Sequence, residues 1–255
     1  MAFILSANIS MLFPERPFLE RIGAAAHAGF HAVECQFPYA LPAQDIAAAL
    51  QQHGLVMNGI NTPPGETFGS AALPGEEARF RDDLEHALDY AKILGAGTIH
   101  CMSGMTGGMS TKARETFLRN LSYASARAQD QAKTLVIEPL NSVDRPGYFV
   151  SRSDDVVMLL TELQAPNVKL LFDIYHIQIM EGDLLRRLQR HWPWIGHVQI
   201  ASVPDRQEPD LGEINLPAFF NALRAQGYEG YVGAEYNPRG DTLAGLEWAR
   251  EYLVS

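Results

Sequence analysis

Short runs of Val, Ile and Leu alternate along the chain with longer stretches in which apolar residues recur every three or four positions. The short runs predict strands at Ile4–Asn8, Ala32–Cys35, Leu55–Ile60, Thr98–Cys101, Leu135–Glu138, Val168–Asp173, His197–Ile200 and Tyr231–Glu235. Continuous apolar strands of this kind fit a parallel sheet covered on both faces. The longer stretches predict helices. Phe80, Leu84, Ala87, Leu88, Ala91 and Leu94 fall on one helical face, as do Phe117, Leu121, Ala124 and Ala128. Ser153 before Asp154 and Asp155, and Asn215 before Pro217, read as helix starts. Gly29, Gly54, Gly95 and Gly227 each follow a helical stripe and precede the next strand, as helix stops do.

Eight strands and eight helices in strict alternation leave few arrangements. Right-handed crossovers close them into a (β/α)8 TIM barrel, with a doubly wound open sheet as the second choice. The 255 residues match one barrel of roughly 250. No linker, low-complexity tract or shift in composition divides the chain, so residues 1–255 read as a single domain. The longest strand-to-helix connections, Asn61–Gly75, Met102–Ser110, Glu138–Arg152 and Ile200–Leu216, all belong to the carboxyl ends of strands. That is the face on which barrels carry their active sites.

Composition narrows the partners. A hydrophobic content of 47% allows a substantial soluble core, and a net charge of −10 opposes loose binding to nucleic acid or to an anionic membrane. The densest basic spot, Arg186, Arg187 and Arg190, reads as the solvated face of one helix. Cys35 and Cys101 lack metal-type spacing and read as small buried hydrophobes. The opening Met-Ala-Phe-Ile-Leu-Ser has no charged leader, and no segment reaches the length of a membrane span, which predicts a cytoplasmic protein. The segment Gly104–Lys112 is glycine-rich but does not match G-x-x-x-x-G-K-[ST], so it reads as a lid rather than a phosphate loop.

The chemistry stands at four consecutive strand ends: Glu138, Asp173, Gln199 and Glu235. Each alone could pair with an arginine or cap a helix. Together they offer three carboxylates and an amide oxygen to one point, a set that suits a hard divalent metal, Mg²⁺ or Mn²⁺. Glu138 and Glu235 sit on strands five and eight, so a small substrate between them could lose a proton to one and regain one from the other. The alternative is pure ligation by both. His176, three residues past Asp173, reads as a donor to substrate, or else as a packed or supporting residue. His197 points the same way as Gln199 by strand alternation, one layer deeper, and predicts a structural role. His27, His31, His53 and His86 read as surface or packing residues. Arg206, in the loop after strand seven, reads either as a bidentate partner for substrate or as a loop ion pair with Asp205, Glu208 or Glu213.

The motifs Ile-Glu138-Pro139-Leu-Asn141, Phe-Asp173-Ile-Tyr-His176, Gly196-His197-Val-Gln199-Ile, Gly212-Glu213-Ile214 and Gly233-Ala-Glu235-Tyr236 resemble the hydroxypyruvate isomerase family of xylose-isomerase-like barrels. The opening Ser6–Phe13 and Phe37-Pro38-Tyr39 resemble it too. The resemblance implies a metal-assisted aldose–ketose isomerisation of a small keto or hydroxy acid, hydroxypyruvate to tartronate semialdehyde. It implies Glu138 and Glu235 as the proton-transfer pair, Asp173 and Gln199 as companion ligands, and His176, Arg206 and Asp144 around substrate oxygens. Asn61–Glu66 and His100-Cys101 depart from the family pattern where substrate would be enclosed. A four-carbon 2-oxo-tetronate isomerase or a ketose 3-epimerase would use the same residues. An abasic-site endonuclease would need a multi-zinc cluster and a basic surface, and a binding barrel would keep the metal without the reaction. A homo-oligomer is compatible with the chain.

Overall fold

The computed structural model describes residues 3–253. Expectations that fall on residues 1–2 and 254–255, including the first residues of the opening and both ends of the domain, lie outside the described residues. Eight parallel strands close into a barrel in chain order. They are β1 (Ile4–Asn8), β2 (Ala32–Cys35), β3 (Val56–Asn61), β4 (Thr98–His100), β5 (Thr134–Ile137), β6 (Val168–Asp173), β7 (Ile195–Ile200) and β8 (Tyr231–Ala234). Every predicted strand is present, with ends displaced by two residues at most. The outer layer comprises α1 (Phe18–His27), α2 (Ala43–His53), α3 (Glu77–Leu94), α4 (Thr111–Asp130), α5 (Ser153–Leu163), α6 (Ile174–Met180), α7 (Leu184–His191), α8 (Leu216–Ala225) and α9 (Arg250–Leu253).

The helix count departs from one per strand. Two helices, α6 and α7, follow β6, while β8 is followed by a 3-10 turn at Ala244–Ala249 that runs into the four-residue α9. The break between α6 and α7 falls at Gly182 and Asp183, both with positive φ. The stripes on α3 and α4 are buried against the barrel as their spacing requires. Gly54 and Gly95 close α2 and α3 in the left-handed conformation that a side chain would strain. Asn215 caps α8 by accepting from the Ala218 N–H, with Pro217 in the first turn.

Two start and surface readings need correction. Ser153 is the first residue of α5 rather than its cap, and its N–H is satisfied by Glu181 Oε2 at 2.7 Å. Arg187 is not on a solvated face: its guanidinium bonds Glu181 Oε1 at 2.7 Å and Asp154 Oδ2 at 2.9 Å, with the side chain only 12% exposed. A carboxylate and a guanidinium from neighbouring helices thus fix the start of α5 together. Among the described residues no helix is long and apolar enough to cross a membrane. Cys35 and Cys101 are free and buried.

Register sets the inward-facing residues. Asn8 lies beside Glu34, Asp173 beside Gln199, and Gln199 beside Gly233. The ladder shifts register twice, between β2 and β3 at Val33 and Glu34, and between β6 and β7 at Leu170 and Leu171. Between β6 and β7, Leu170 pairs with Ile195 and Leu171 with His197, so Gly196 is the extra residue. A side chain at Gly196 would come within 2.5 Å of Lys169 Cβ, so glycine is what lets the strand bulge there. The bulge turns His197 and Gln199 into the barrel.

Candidate active site

The carboxyl ends of the strands open on a cavity of about 480 Å³. Its wall contains six of the polar residues singled out in the sequence or beside them: Glu138, Asp144, His176, Arg206, Glu235 and His100. Asp173 and Gln199 lie beneath them, buried. The four strand-end residues therefore gather at one place, but they are not equivalent.

Glu235 is saturated with donors. Its Oε2 accepts from Asn8 Nδ2 at 2.8 Å and Gln199 Nε2 at 2.5 Å; its Oε1 accepts from Gln36 Nε2 at 2.8 Å and Arg206 Nη2 at 2.7 Å. Glu138 is the opposite case. Its Oε1 is buried without a hydrogen-bond partner, and Oε2 faces His100 Nδ1 at 3.3 Å. Asp173 is intermediate: Oδ1 caps α6 by accepting from the Tyr175 N–H at 2.8 Å, while Oδ2 has no hydrogen-bond partner. Gln199 donates from Nε2 to Glu34 and Glu235, which leaves its Oε1 unpartnered too.

Burial dominates the electrostatics. It pushes the Glu138 carboxyl well above its ordinary range, and the neighbouring Glu235 and Asp173 charges add to the rise. Glu235 is pushed up to about 7 by burial, against the opposing charge of Arg206. Asp173 is raised for the same reason, again with Arg206 opposing. His100, buried and beside His197, is pushed down to about 3, so it is neutral. His176 lies well below its usual value, through burial first and then the charge of Arg206, with smaller contributions from the nearby His100 and from Arg145.

His176 Nδ1 accepts from the Asn141 N–H at 3.1 Å and lies 2.7 Å from Asn141 Nδ2. A neutral imidazole has one acceptor and one donor, so the proton sits on Nε2. That N–H faces Glu138 Oε1 and Asp173 Oδ2, each at 3.7 Å. Glu138, Asp173 and His176 offer ligand atoms within 4.8 Å of one another. With Nδ1 taken, His176 fits the role of donor rather than ligand. The unpartnered oxygens of Glu138, Asp173 and Gln199 are the set that fits a hard cation, with Glu235 at their edge.

Among the described residues Arg206 makes no ion pair with Asp205, Glu208 or Glu213, the partners its own loop offers. It pairs with Glu235 and reaches to 3.8 Å of Asp173, over the face of the Tyr175 ring. Glu208 bonds Arg239 instead, and Glu213 accepts from Gln178. Asp144 accepts from Asn141 Nδ2 and the Tyr175 hydroxyl. The lid expectation is also revised. Gly104–Lys112 contributes nothing to the cavity wall. The N–H groups of Thr106, Gly107 and Gly108 all bond the Gly147 carbonyl, which ties this segment to the loop after β5. Phe68, from the loop after β3, and Arg145 hold that side of the cavity.

The residue with no counterpart in the sequence reading is Glu34. Its carboxylate lies under the site, 3% exposed, and takes His197 Nε2 at 2.8 Å, Gln199 Nε2 at 2.6 Å and Asn8 Nδ2 at 3.0 Å. Burial raises it, but His197 by charge and hydrogen bond, with Gln199 and Asn8, brings it net below the ordinary value. His197 therefore has the structural role its depth implies. A charged residue inside a four-residue strand of a fully covered sheet was the available signal.

A closed parallel barrel with buried acids and an amide at the carboxyl ends of β5 to β8 is the layout of a barrel enzyme with its site on that face. Residues 22–252 match the xylose isomerase-like TIM barrel family, and the chain belongs to it. Over 254 residues it is 45% identical to the 2-oxo-tetronate isomerase of Cupriavidus necator, covering 97% of this chain and 98% of that one. It is 38% identical over 253 residues to the hydroxypyruvate isomerase of Escherichia coli, covering 97% and 98%. The crystal structure of a Brucella melitensis protein described as AP endonuclease, family 2, superposes with a TM-score of 0.96 at 46% identity, covering 98% of each chain. The expected resemblance to hydroxypyruvate isomerases holds. The chain is an isomerase of the intramolecular oxidoreductase type.

Proposed function

We propose that the protein interconverts the ketone and aldehyde forms of a small hydroxylated 2-oxo acid, hydroxypyruvate and tartronate semialdehyde foremost, through an enediolate. The observation that carries this is the pair Glu138 and Glu235: two buried carboxyls with raised affinity for protons, facing one cavity from β5 and β8. A carboxyl near 7 takes and returns a proton at little cost at neutral pH. One glutamate removes the C3 proton of hydroxypyruvate and the other delivers one to C2, while the hydroxyl proton passes between the two oxygens. The reverse reaction uses the same pair in the opposite order.

The remaining residues position and polarise. His176 Nε2–H, kept neutral and oriented by Asn141, donates to a substrate oxygen. Arg206 holds Glu235 in place and balances its charge when the proton leaves. Glu138, Asp173, Gln199 and Glu235 would hold Mg²⁺ or Mn²⁺, which stabilises the negative charge of an enediolate. A four-carbon 2-oxo acid fits the same scheme.

Proton NMR in D₂O tests the reaction. With hydroxypyruvate, deuterium should enter C3 of recovered substrate and C2 of the product. An exchange pattern confined to C3 of a neutral ketose would point to epimerisation instead. The description of the Brucella protein favours a second reading, cleavage at abasic sites, and nicking of abasic DNA without isomerase activity would establish it. The raised carboxyls also set a pH dependence. Ligation needs them ionised, so cation affinity should weaken as pH falls below about 7. Titration of Mn²⁺ into metal-free protein between pH 6 and pH 8 (about two units, chosen around that value) would show it; equal affinity across the range would remove Glu235 and Glu138 from the cation site.

A further inference from the structure

Two guanidinium groups line the cavity, and they are in opposite situations. Arg206 is committed to Glu235 and Asp173. Arg145, half-buried in the loop after β5, forms no ion pair with any carboxylate of the described residues. The hydrogen bond recorded for its guanidinium is from Nη1 to the Asp144 carbonyl at 3.0 Å. Its flat face rests on the Phe68 ring, 4.0 Å from the centroid. Stacking of this kind fixes the plane and leaves the N–H edge free to meet a carboxylate in bidentate fashion.

Phe68 is held there by its backbone. Its φ is +51°, in the left-handed region that a bulky residue rarely enters. The Gly69 N–H bonds the Pro64 carbonyl at 2.7 Å, and the Thr67 hydroxyl bonds the Gly69 carbonyl at 2.8 Å. Gly69 itself lies too close to the Met102 carbonyl to carry a side chain. The loop after β3 is thus built to present an aromatic shelf under Arg145.

From this geometry we propose that Arg145, stacked on Phe68, binds the carboxylate of the substrate and selects 2-oxo acids over neutral ketoses. The inference rests on the proposed isomerase reading and names the group that reads the acid end. Glu138, Asp144, Asp205 and Glu235 also line the cavity, and Arg145 is the lining cation that no carboxylate of the described residues neutralises. The carboxylate then lies toward the loop after β5 and the hydroxyketone toward Glu138 and Glu235.

The test compares hydroxypyruvate with dihydroxyacetone, which keeps the hydroxyketone and replaces the carboxylate by a hydroxymethyl group. In Arg145→Met, KM for hydroxypyruvate should rise by about 10- to 100-fold, the range of a lost charge-assisted hydrogen bond. Its kcat should stay within about threefold, and the inhibition constant of dihydroxyacetone should stay near the wild-type value. Arg145→Lys should recover part of the affinity. An unchanged KM in both variants, or equal weakening of both ligands, overturns the proposal. If Arg145→Met fails to fold by circular dichroism, the same split in Arg145→Lys decides. If the wild type turns over no hydroxypyruvate, the reaction proposed above fails by itself. Calorimetric binding of hydroxypyruvate to wild type and variants then reads Arg145 alone, and equal affinity, or no binding to the wild type, counts against it.

Discussion

Replacing Glu138 with glutamine should lower kcat by about 10³-fold or more while leaving the protein folded and at least as stable. Two properties of Glu138 combine to give this outcome. Glutamine keeps the shape but cannot accept a proton, and loss of a positioned general base or acid removes roughly 10²- to 10⁴-fold on its own. Loss of a charged oxygen from the proposed cation site adds to that. Stability moves the other way. Glu138 is buried with no donor on Oε1, so its ionised form is disfavoured in the fold. The sign follows from linkage. The unfolded chain releases this proton near 4.5, whereas the folded chain retains it to higher pH. The group therefore contributes stability at low pH that is lost as pH rises from 4.5 through its folded value. A metal-free Glu138→Gln protein should lose less stability over that rise than metal-free wild type. Steady-state kinetics with urea unfolding at pH 5 and pH 8 (roughly half a unit above 4.5 and well past it) measure both effects. A variant with near wild-type kcat, or one destabilised at high pH, would contradict this account of Glu138.

The fold was legible because its determinants are local. Each strand of a parallel barrel is buried on both faces and must be apolar over several residues, and each helix must carry an apolar stripe, so the alternation is written along the chain. The position of the site was legible for the same reason: Glu138, Asp173, Gln199 and Glu235 interrupt apolar runs at their carboxyl ends. What could not be read is which oxygens are already satisfied. Glu138 and Glu235 look alike in sequence, yet one has an unpartnered oxygen and the other accepts four hydrogen bonds from Asn8, Gln36, Gln199 and Arg206. Those donors come from β1, the end of β2, β7 and the loop after β7, and only closure of the barrel brings them together. Arg206 shows the same gap. Its loop holds three nearby acids, but the partner it finds stands just past the end of β8.

The strongest consequence of that gap concerns Glu34, whose truncation to alanine should destabilise the protein by about 3–5 kcal/mol and impair cation binding together with activity. Glu34 is a buried anion made tolerable by His197, Gln199 and Asn8, with Asn58 Nδ2 a longer contact at 3.4 Å. Gly233, facing it from β8, lacks the side chain that would collide with this carboxylate. Alanine would leave those donors facing a cavity without an acceptor, and each unsatisfied buried donor costs about 1–3 kcal/mol. For a domain of this size the midpoint of thermal unfolding should fall by roughly 6–20 °C. The functional loss has a geometric cause. Glu34 and Glu235 together fix the Gln199 amide with its nitrogen toward themselves, which leaves Oε1 free for the proposed cation. Without Glu34 the amide is held by Glu235 alone, and removal of a residue that supports a ligand costs about 10- to 100-fold in metal affinity. Glu34→Gln separates the two effects, since it restores volume and one acceptor but sets its own amide N–H against a donor. It should recover part of the stability while leaving Mn²⁺ affinity low. Full recovery of both by glutamine would mean that the anionic charge of Glu34 plays no part, and that burial of a hydrogen-bonding side chain is all the site requires there.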